Sequence, residues 1–129
     1  MKRCLATCAY SRLRTGDKRL QACLEEADLL VIPVVVMGEL YAGFAKGSRK
    51  AENEARLEEF LEIPSIRIQD TNWDIARRYG LLVAQLHQAG TPIPTNDIWI
   101  AATTLELGAR LVTYDDHFRL VPGLIVEAP

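Results

Sequence analysis

The sequence contains few residues of the kinds that build disulfide frameworks or zinc sites. Its three cysteines, Cys4, Cys8 and Cys23, cannot all pair within one chain, and no Cys-x-x-Cys pair exists. The two histidines, His87 and His117, lie far apart in the sequence. These absences argue against a disulfide-stapled secreted domain and against a zinc finger. We therefore predict a cytoplasmic protein with reduced cysteines that mostly fill the core.

Long apolar runs and nucleotide-binding motifs are also absent. No apolar run approaches the ~20 residues that a membrane span needs. The basic start of the chain turns polar by Ser11, unlike a secretory signal. The sequence has no Gly-x-x-x-x-Gly-Lys-Ser/Thr loop, no Gly-x-Gly-x-x-Gly turn and no Gly-x-Ser-x-Gly elbow. A P-loop NTPase, a dinucleotide-dependent enzyme and a serine hydrolase are therefore not indicated.

Positive charge is concentrated in two places on a chain whose net charge is −2. That net charge argues against a general polyanion-binding protein, whereas local basic groups suit a phosphate backbone approaching one edge. Ordinary solvated side chains explain the same pattern, and the sequence leaves both interpretations open. The two groups are Lys2, Arg3, Arg12, Arg14, Lys18 and Arg19, and then Lys46, Arg49 and Lys50.

Short strand-like runs alternate with helical patterns throughout the chain, which predicts one α/β domain over residues 1–129 with a mainly parallel sheet. We expect Pro33 to begin a helix, and Thr95 or Asn96 to cap another. In such sheets the chemistry gathers beyond the carboxyl ends of the strands. The predicted strands are 2–6, 29–32, 66–68, 110–113 and 124–126, and the predicted helices are 9–13, 18–27, 33–45, 51–61, 71–89 and 97–107.

Acidic residues with apolar neighbours are the main candidates for chemistry. Glu39 lies in an apolar helix, Asp97 in the first turn of another, and Asp115 and Asp116 follow a strand. Carboxylates that converge in a buried setting repel one another unless a cation neutralises them. Oxygen ligands of this kind suit Mg²⁺ or Mn²⁺, and a pair of such ions about 3.5–4 Å apart supports phosphodiester cleavage.

Each of these residues also has a purely structural interpretation. Glu39 would pair with an arginine, Asp97 would complement a helix dipole, and Asp115 would cap the short helix after it. Asp116 would simply be solvated, and His117 would be a surface or capping residue rather than a ligand. The residues alone leave these alternatives open.

Four segments in order carry a resemblance to a known family. They are Thr7 to Ser11 after the first strand, VIPVVVMGELYAGF (31–44), GTPIPTNDIWIAATTLELGARLVTYDDHF (90–118) and VPGLIVE (121–127). Together they closely resemble the VapC-type toxins of the PIN-domain family, and the likeness covers nearly the whole chain. The resemblance implies a three-layer α/β/α PIN-like domain with a central parallel sheet.

The resemblance also implies an endoribonuclease that cuts RNA with Mg²⁺ or Mn²⁺ held by four acids. Glu39 matches the second acid, Asp97 the third and Asp115 the fourth. On this hypothesis Asp97 and Asp115 hold the catalytic metal, and Glu39 orients the attacking water or holds a second ion. Family members pair with a small VapB-like antitoxin, whose tail covers the active site, and often form homodimers.

Further residues are assigned supporting roles by the same match. Thr113 is the hydroxyl residue before the last acid, and Asn96 is the polar neighbour of the third. Thr7 follows the first acid position, and Asp116 follows the last acid. The candidate contacts to the RNA backbone are Arg12, Arg14, Lys46 and Arg49.

One position departs from the family pattern. Ala6 stands where the family has its first aspartate, and a methyl group cannot bind a metal. An engineered inactivation and natural degeneration both explain this residue. The chain is then either a weakened ribonuclease or a non-catalytic module that binds antitoxin or RNA. A Mg²⁺-dependent phosphatase is a weaker alternative, because that class needs a nucleophilic aspartate just after the first strand.

Overall fold

A five-stranded parallel β-sheet organises the protein, whose computed structural model describes all 129 residues. The strands lie in the order β3-β2-β1-β4-β5, and every neighbouring pair is parallel. Cys4 in the central strand pairs with Val31 on one side and Leu111 on the other. The predicted parallel sheet is confirmed. Its strands are β1 (Lys2–Leu5), β2 (Leu29–Pro33), β3 (Ile66–Gln69), β4 (Arg110–Val112) and β5 (Val126–Glu127).

Six α-helices and one 3₁₀ helix connect the strands. Crossovers between parallel strands are right-handed, so the change of direction after β3 puts the earlier and later helices on opposite faces of the sheet. None of the helices combines the length and apolar character needed to span a bilayer. The helices are α1 (Thr7–Leu13), α2 (Lys18–Glu25), α3 (Val34–Lys46), α4 (Lys50–Leu61), α5 (Trp73–Gln88) and α6 (Thr95–Glu106), followed by the 3₁₀ helix Asp116–Leu120.

The core lies on both faces of the sheet, which explains the continuous apolar run in β2. Leu30, Val31 and Ile32 are all buried, as expected for a strand covered on two sides. The helices contribute one buried stripe each, exemplified by Leu57 of α4 and Ile75 of α5. A single connected apolar cluster results.

The helices that carry Glu39 and Asp97 both follow a proline in extended conformation. Pro33 ends β2 with φ −58° and ψ 141°, and Pro94 precedes α6 with φ −55° and ψ 144°. The prediction that Pro33 begins a helix was therefore wrong by one residue. The prediction that Thr95 or Asn96 caps α6 was also wrong, because α6 begins at Thr95 and has no side-chain cap.

Other helix and strand boundaries differ from the predicted ones where strand pairing or packing outweighs the local sequence pattern. The first helix begins at Thr7 rather than at residue 9, directly after the first strand. The last strand is Val126–Glu127 rather than 124–126, because Val112 pairs with Glu127. The cysteines are all free. Cys4 is in the core and Cys23 packs against it, whereas Cys8 is exposed, so the core-filling prediction was wrong for Cys8.

Arg3 is a buried cation that ties the sheet to a helix. Its guanidinium donates from Nε to Glu127 Oε1 at 2.7 Å and from Nη2 to Oε2 at 3.1 Å. Its Nη1 donates to the Cys23 carbonyl at 2.8 Å. The side chain is 3% exposed, so Arg3 is unavailable to a phosphate backbone and does not belong to the basic surface that the sequence suggested.

Replacing Glu127 with glutamine should destabilise the protein in a pH-dependent way. The hydrogen bonds from Arg3 hold the pKa of Glu127 below its ordinary value. Stability from this pair is therefore present above the ordinary glutamate pKa and is lost as the pH falls through the folded-state pKa. We expect Glu127→Gln to lower the free energy of unfolding by about 1–3 kcal/mol at neutral pH, measured by urea denaturation.

Glu106→Gln is the matched control, because Glu106 pairs with Arg78 at 2.7 Å near the surface. Its effect should stay below about 1 kcal/mol. If Glu127→Gln lowers the free energy of unfolding equally at strongly acidic pH, the ionised Arg3–Glu127 pair is not the source of the loss.

Candidate metal centre

The strand order creates a crevice at the carboxyl ends of β1 and β4. These neighbouring strands are not consecutive, because the chain first runs outward to β3 and then returns. Ligand sites in open α/β sheets lie at this kind of switch point. Ala6 and Thr7 follow β1, and Thr113 and Asp115 follow β4.

A polar cleft occupies this position. Its volume is about 460 Å³, and none of its lining residues is hydrophobic. An adjoining pocket shares three acidic residues with the cleft and is also lined by Ala6, Thr7 and Cys8. The structure thus brings together the four positions that the sequence matched to acids. The cleft residues are Glu39, Pro94, Thr95, Asn96, Asp97, Asp115 and His117.

The acids in the cleft influence one another electrostatically. The side chain of Asp97 is only 14% exposed. Its pKa is raised, first by burial and then by the negative charge of Asp115, with a smaller contribution from Glu39. The hydrogen bond with His117 acts in the opposite direction. This repulsion is what a divalent cation would relieve.

The donor atoms fit a divalent cation. One ligand atom each from Asp97, Asp115 and His117 can be chosen so that all lie within 4.8 Å of one another. Carboxylate oxygens are the ligands that hard divalent cations prefer, and an imidazole nitrogen is accepted by several of them. The residues present are therefore suited to holding a cation.

A hydroxyl group fixes the orientation of Glu39. Thr7, the first residue of α1, donates from Oγ1 to Glu39 Oε1 at 2.6 Å. Glu39 lies in α3 and is partly exposed to the cleft. It makes no ion pair with an arginine, so the structural alternative suggested by the sequence is not supported. Thr7 is a positioning residue for this carboxylate.

A second hydroxyl group fixes the chain at Asp115. Thr113 is fully buried, and its Oγ1 accepts the Asp115 backbone N–H at 3.1 Å. Cys8 Sγ lies 3.3 Å from the same oxygen. Asp115 in turn accepts the His117 backbone N–H at 3.0 Å and caps the 3₁₀ helix. The capping prediction is confirmed, and the same carboxylate also faces the cleft.

Ala6 occupies the junction between β1 and α1. Its N–H donates to the Val112 carbonyl at 3.1 Å, which keeps it in line with the neighbouring strand. It is 2% exposed and stands in the N-cap position of α1 without a side-chain cap. The backbone at this position is extended, and the alanine side chain supplies no oxygen to the cleft.

The remaining predicted residues lie in different settings. Asn96 lines the cleft, while Asp116 is 95% exposed, pairs with Arg119 at 3.5 Å and does not line it. Arg12 pairs with Asp17 and lies over the Tyr114 ring.

Arg14 lies over the rings of Tyr10 and Phe60 and lines a separate, mainly apolar pocket. Lys46 and Arg49 are exposed and make no ion pair. Of the four candidate RNA contacts, these two are thus the ones that make neither an ion pair nor a cation–π contact within the chain.

His117 is the cleft residue that sequence reasoning missed. Its Nδ1 lies 3.3 Å from Asp97 Oδ2 and 3.2 Å from Asp115 Oδ1. The available indication was its spacing from Asp115, since a capping aspartate accepts the backbone N–H two residues later and so holds that residue nearby.

Comparisons with known proteins agree on one family. A family model described as PIN domain matches residues 6–124. Ribonuclease VapC2 of Rickettsia felis is 32% identical over 105 residues, covering 81% of this chain and 77% of that protein.

Solved structures show the same likeness. A chain of VapBC2 from Rickettsia felis, bound to a DNA fragment from their promoter, has a TM-score of 0.88 at 29% identity, with 98% of each chain covered. A chain of VapBC-5 from Mycobacterium tuberculosis, a member of the VapBC family of toxin-antitoxin systems, has a TM-score of 0.73 at 25% identity, covering 98% of this chain and 95% of that one. Both alignments therefore extend over the cleft.

Removing the Thr7 hydroxyl should weaken cation binding. Thr7→Val keeps the branched shape but leaves Glu39 without its hydrogen bond, so the carboxylate loses its fixed orientation. We expect the Mn²⁺ dissociation constant, measured by electron paramagnetic resonance of the free ion, to rise about tenfold. Thr7→Ser retains the hydroxyl and should bind Mn²⁺ almost as the parent does. Equal affinity in all three proteins would show that Thr7 does not position Glu39.

Proposed function

Since the chain belongs to the PIN-domain family, we propose that it is an endoribonuclease toxin of a toxin–antitoxin pair, with an active site weakened by Ala6. The observation that carries this proposal is the convergence of Glu39, Asp97 and Asp115 at the switch point of the sheet. Relatives named as ribonucleases support RNA as the substrate. The phosphatase alternative has no such support.

The cation we propose for this site is Mg²⁺ or Mn²⁺, held by Asp97 and Asp115. When bound, such a cation supplies Lewis-acid polarisation of water and of the phosphodiester. Glu39 orients the attacking water, because Thr7 engages its Oε1 and leaves Oε2 to accept a hydrogen bond. The polar and charged side chains that line most of the cleft suit a charged phosphate backbone and its hydration.

Ala6 removes one anionic ligand from this arrangement. The three remaining carboxylates would hold a cation less tightly and in a less defined position, so cleavage should be slow or absent. Ala6 is also the observation that favours a second function, in which the chain binds antitoxin or RNA without cutting. The fold itself is retained, as the backbone hydrogen bond at Ala6 indicates.

A protein partner is part of the proposal. Related solved structures are described as VapBC complexes, and one of them is bound to promoter DNA. We propose that this chain likewise pairs with a VapB-like antitoxin. The homodimer implied by the family resemblance remains a prediction.

Restoring an acid at position 6 should restore cleavage. In Ala6→Asp, the new carboxylate would stand beside Asp97 and Asp115 and complete the ligand set. We expect RNA cleavage to rise at least about a hundredfold over the parent in Mg²⁺ or Mn²⁺, as judged on labelled total RNA. A chelator should abolish this activity.

The control is the double variant Ala6→Asp/Asp97→Asn, which has an acid at position 6 but lacks a central ligand. It should cut no faster than the parent. If Ala6→Asp folds and does not cut, or if the double variant cuts equally well, the catalytic proposal is wrong and binding becomes the function to pursue.

Basic residues without intramolecular partners should set the salt dependence of RNA binding. We expect Lys46→Gln/Arg49→Gln to reduce the slope of log affinity against log salt by about 0.7 for each RNA phosphate that the variant no longer neutralises. Fluorescence anisotropy of labelled RNA, with chelator present throughout, measures binding without cleavage.

Lys50→Gln is the matched control, since Lys50 lies beside this pair but approaches Glu54 at 4.0 Å. An unchanged slope in the double variant would remove Lys46 and Arg49 from the proposed RNA surface.

A further inference from the structure

His117 presents a ring nitrogen to both central carboxylates of the cleft. Its Nδ1 lies 3.3 Å from Asp97 Oδ2 and 3.2 Å from Asp115 Oδ1. The side chain is 51% exposed and lines the same polar cleft. The ring therefore stands where a cation shared by the two carboxylates would meet it.

The backbone holds His117 in this place. Asp115 accepts the His117 backbone N–H at 3.0 Å, and the Asp115 N–H is held by Thr113 at 3.1 Å. These two hydrogen bonds connect a fully buried threonine to the start of the 3₁₀ helix. The direction of the His117 side chain is thus set by the turn that also sets Asp115.

We propose that His117 is a ligand of the cation and that it makes this site prefer first-row transition ions such as Mn²⁺, Co²⁺ or Zn²⁺ over Mg²⁺. The inference rests on the proposed function, because it concerns the same cation site. It adds a nitrogen donor to a site otherwise made of carboxylate oxygens.

The preference follows from ligand chemistry. Mg²⁺ prefers oxygen ligands and parts reluctantly with its waters. Imidazole suits later first-row ions such as Zn²⁺, and the affinity of a mixed nitrogen and oxygen site rises from Mn²⁺ to Co²⁺. Ala6 strengthens this bias, because it has removed an oxygen ligand from the pocket without affecting the nitrogen. A site with fewer anionic oxygens and one imidazole gains more from a softer cation.

The chain offers a matched control for this role. Its other histidine, His87, is exposed near the end of α5 and does not line the cleft. Comparing His117→Gln with His87→Gln separates binding in the cleft from binding to any accessible imidazole. Circular dichroism checks that each variant folds.

The first experiment titrates Co²⁺ into each protein and follows its visible absorption, with Mg²⁺ added as a competitor. We expect His87→Gln to match the parent. His117→Gln should bind Co²⁺ at least about tenfold more weakly, while its Mg²⁺ affinity changes less than about twofold. Unchanged Co²⁺ affinity in His117→Gln, or an equal loss in His87→Gln, would overturn the proposal.

The second experiment observes the ring directly. In ¹⁵N-labelled His87→Gln, His117 is the only histidine, so its two ring nitrogens can be followed without assignment ambiguity. Saturating Zn²⁺ should shift Nδ1 strongly and Nε2 much less. A ring unaffected by Zn²⁺ would show that His117 serves only as a hydrogen-bond partner of the carboxylates.

Asp97→Asn distinguishes failure of this inference from failure of the proposed function. If Asp97→Asn loses Co²⁺ binding and His117→Gln keeps it, the cation site stands and the role of His117 is wrong. If neither the parent nor Ala6→Asp binds Co²⁺ or Mg²⁺, both proposals are overturned.

Discussion

The parallel pairing of β1 with β4 is the constraint on which the rest of this structure depends. Most of the chain lies between the two strands, yet Cys4 and Leu111 are direct partners. Their carboxyl ends therefore meet, and the chain reversal after β3 leaves a crevice there. Helices α3 and α6 then bring Glu39 and Asp97 to that crevice. The strand order forms the cleft, and individual side chains then line it.

Two threonine hydroxyl groups fix the positions of acidic residues in this crevice. Thr7 fixes Glu39 from one side of the crevice, and the buried Thr113 fixes the backbone of Asp115 from the other. Neither threonine carries charge, so both orient carboxylates without adding to the repulsion that raises the pKa of Asp97. The arrangement keeps mutually repelling carboxylates close together, and a bound cation would relieve that repulsion.

The sequence predicted the sheet and the acidic residues well, because both depend on short patterns. A continuous apolar run can only be a covered strand or a buried helix, and the length of β2 favours a strand. The acidic site residues were predicted from the order of the family-like segments along the chain. Local pattern failed where partners are distant: the burial of Arg3 depends on Glu127 at the other end of the chain, and the setting of His117 depends on Asp97 in another helix. Helix α6 began early because Pro94 fixes the preceding backbone.

The hydrogen bond from the Ala6 N–H to Val112 uses main-chain atoms only. The strand pairing at position 6 therefore does not depend on which side chain stands there. Every alanine codon differs from a codon for aspartate or glutamate by a single nucleotide. A single nucleotide change at this codon can therefore add or remove a carboxylate while the main-chain hydrogen bond beside the cleft stays in place.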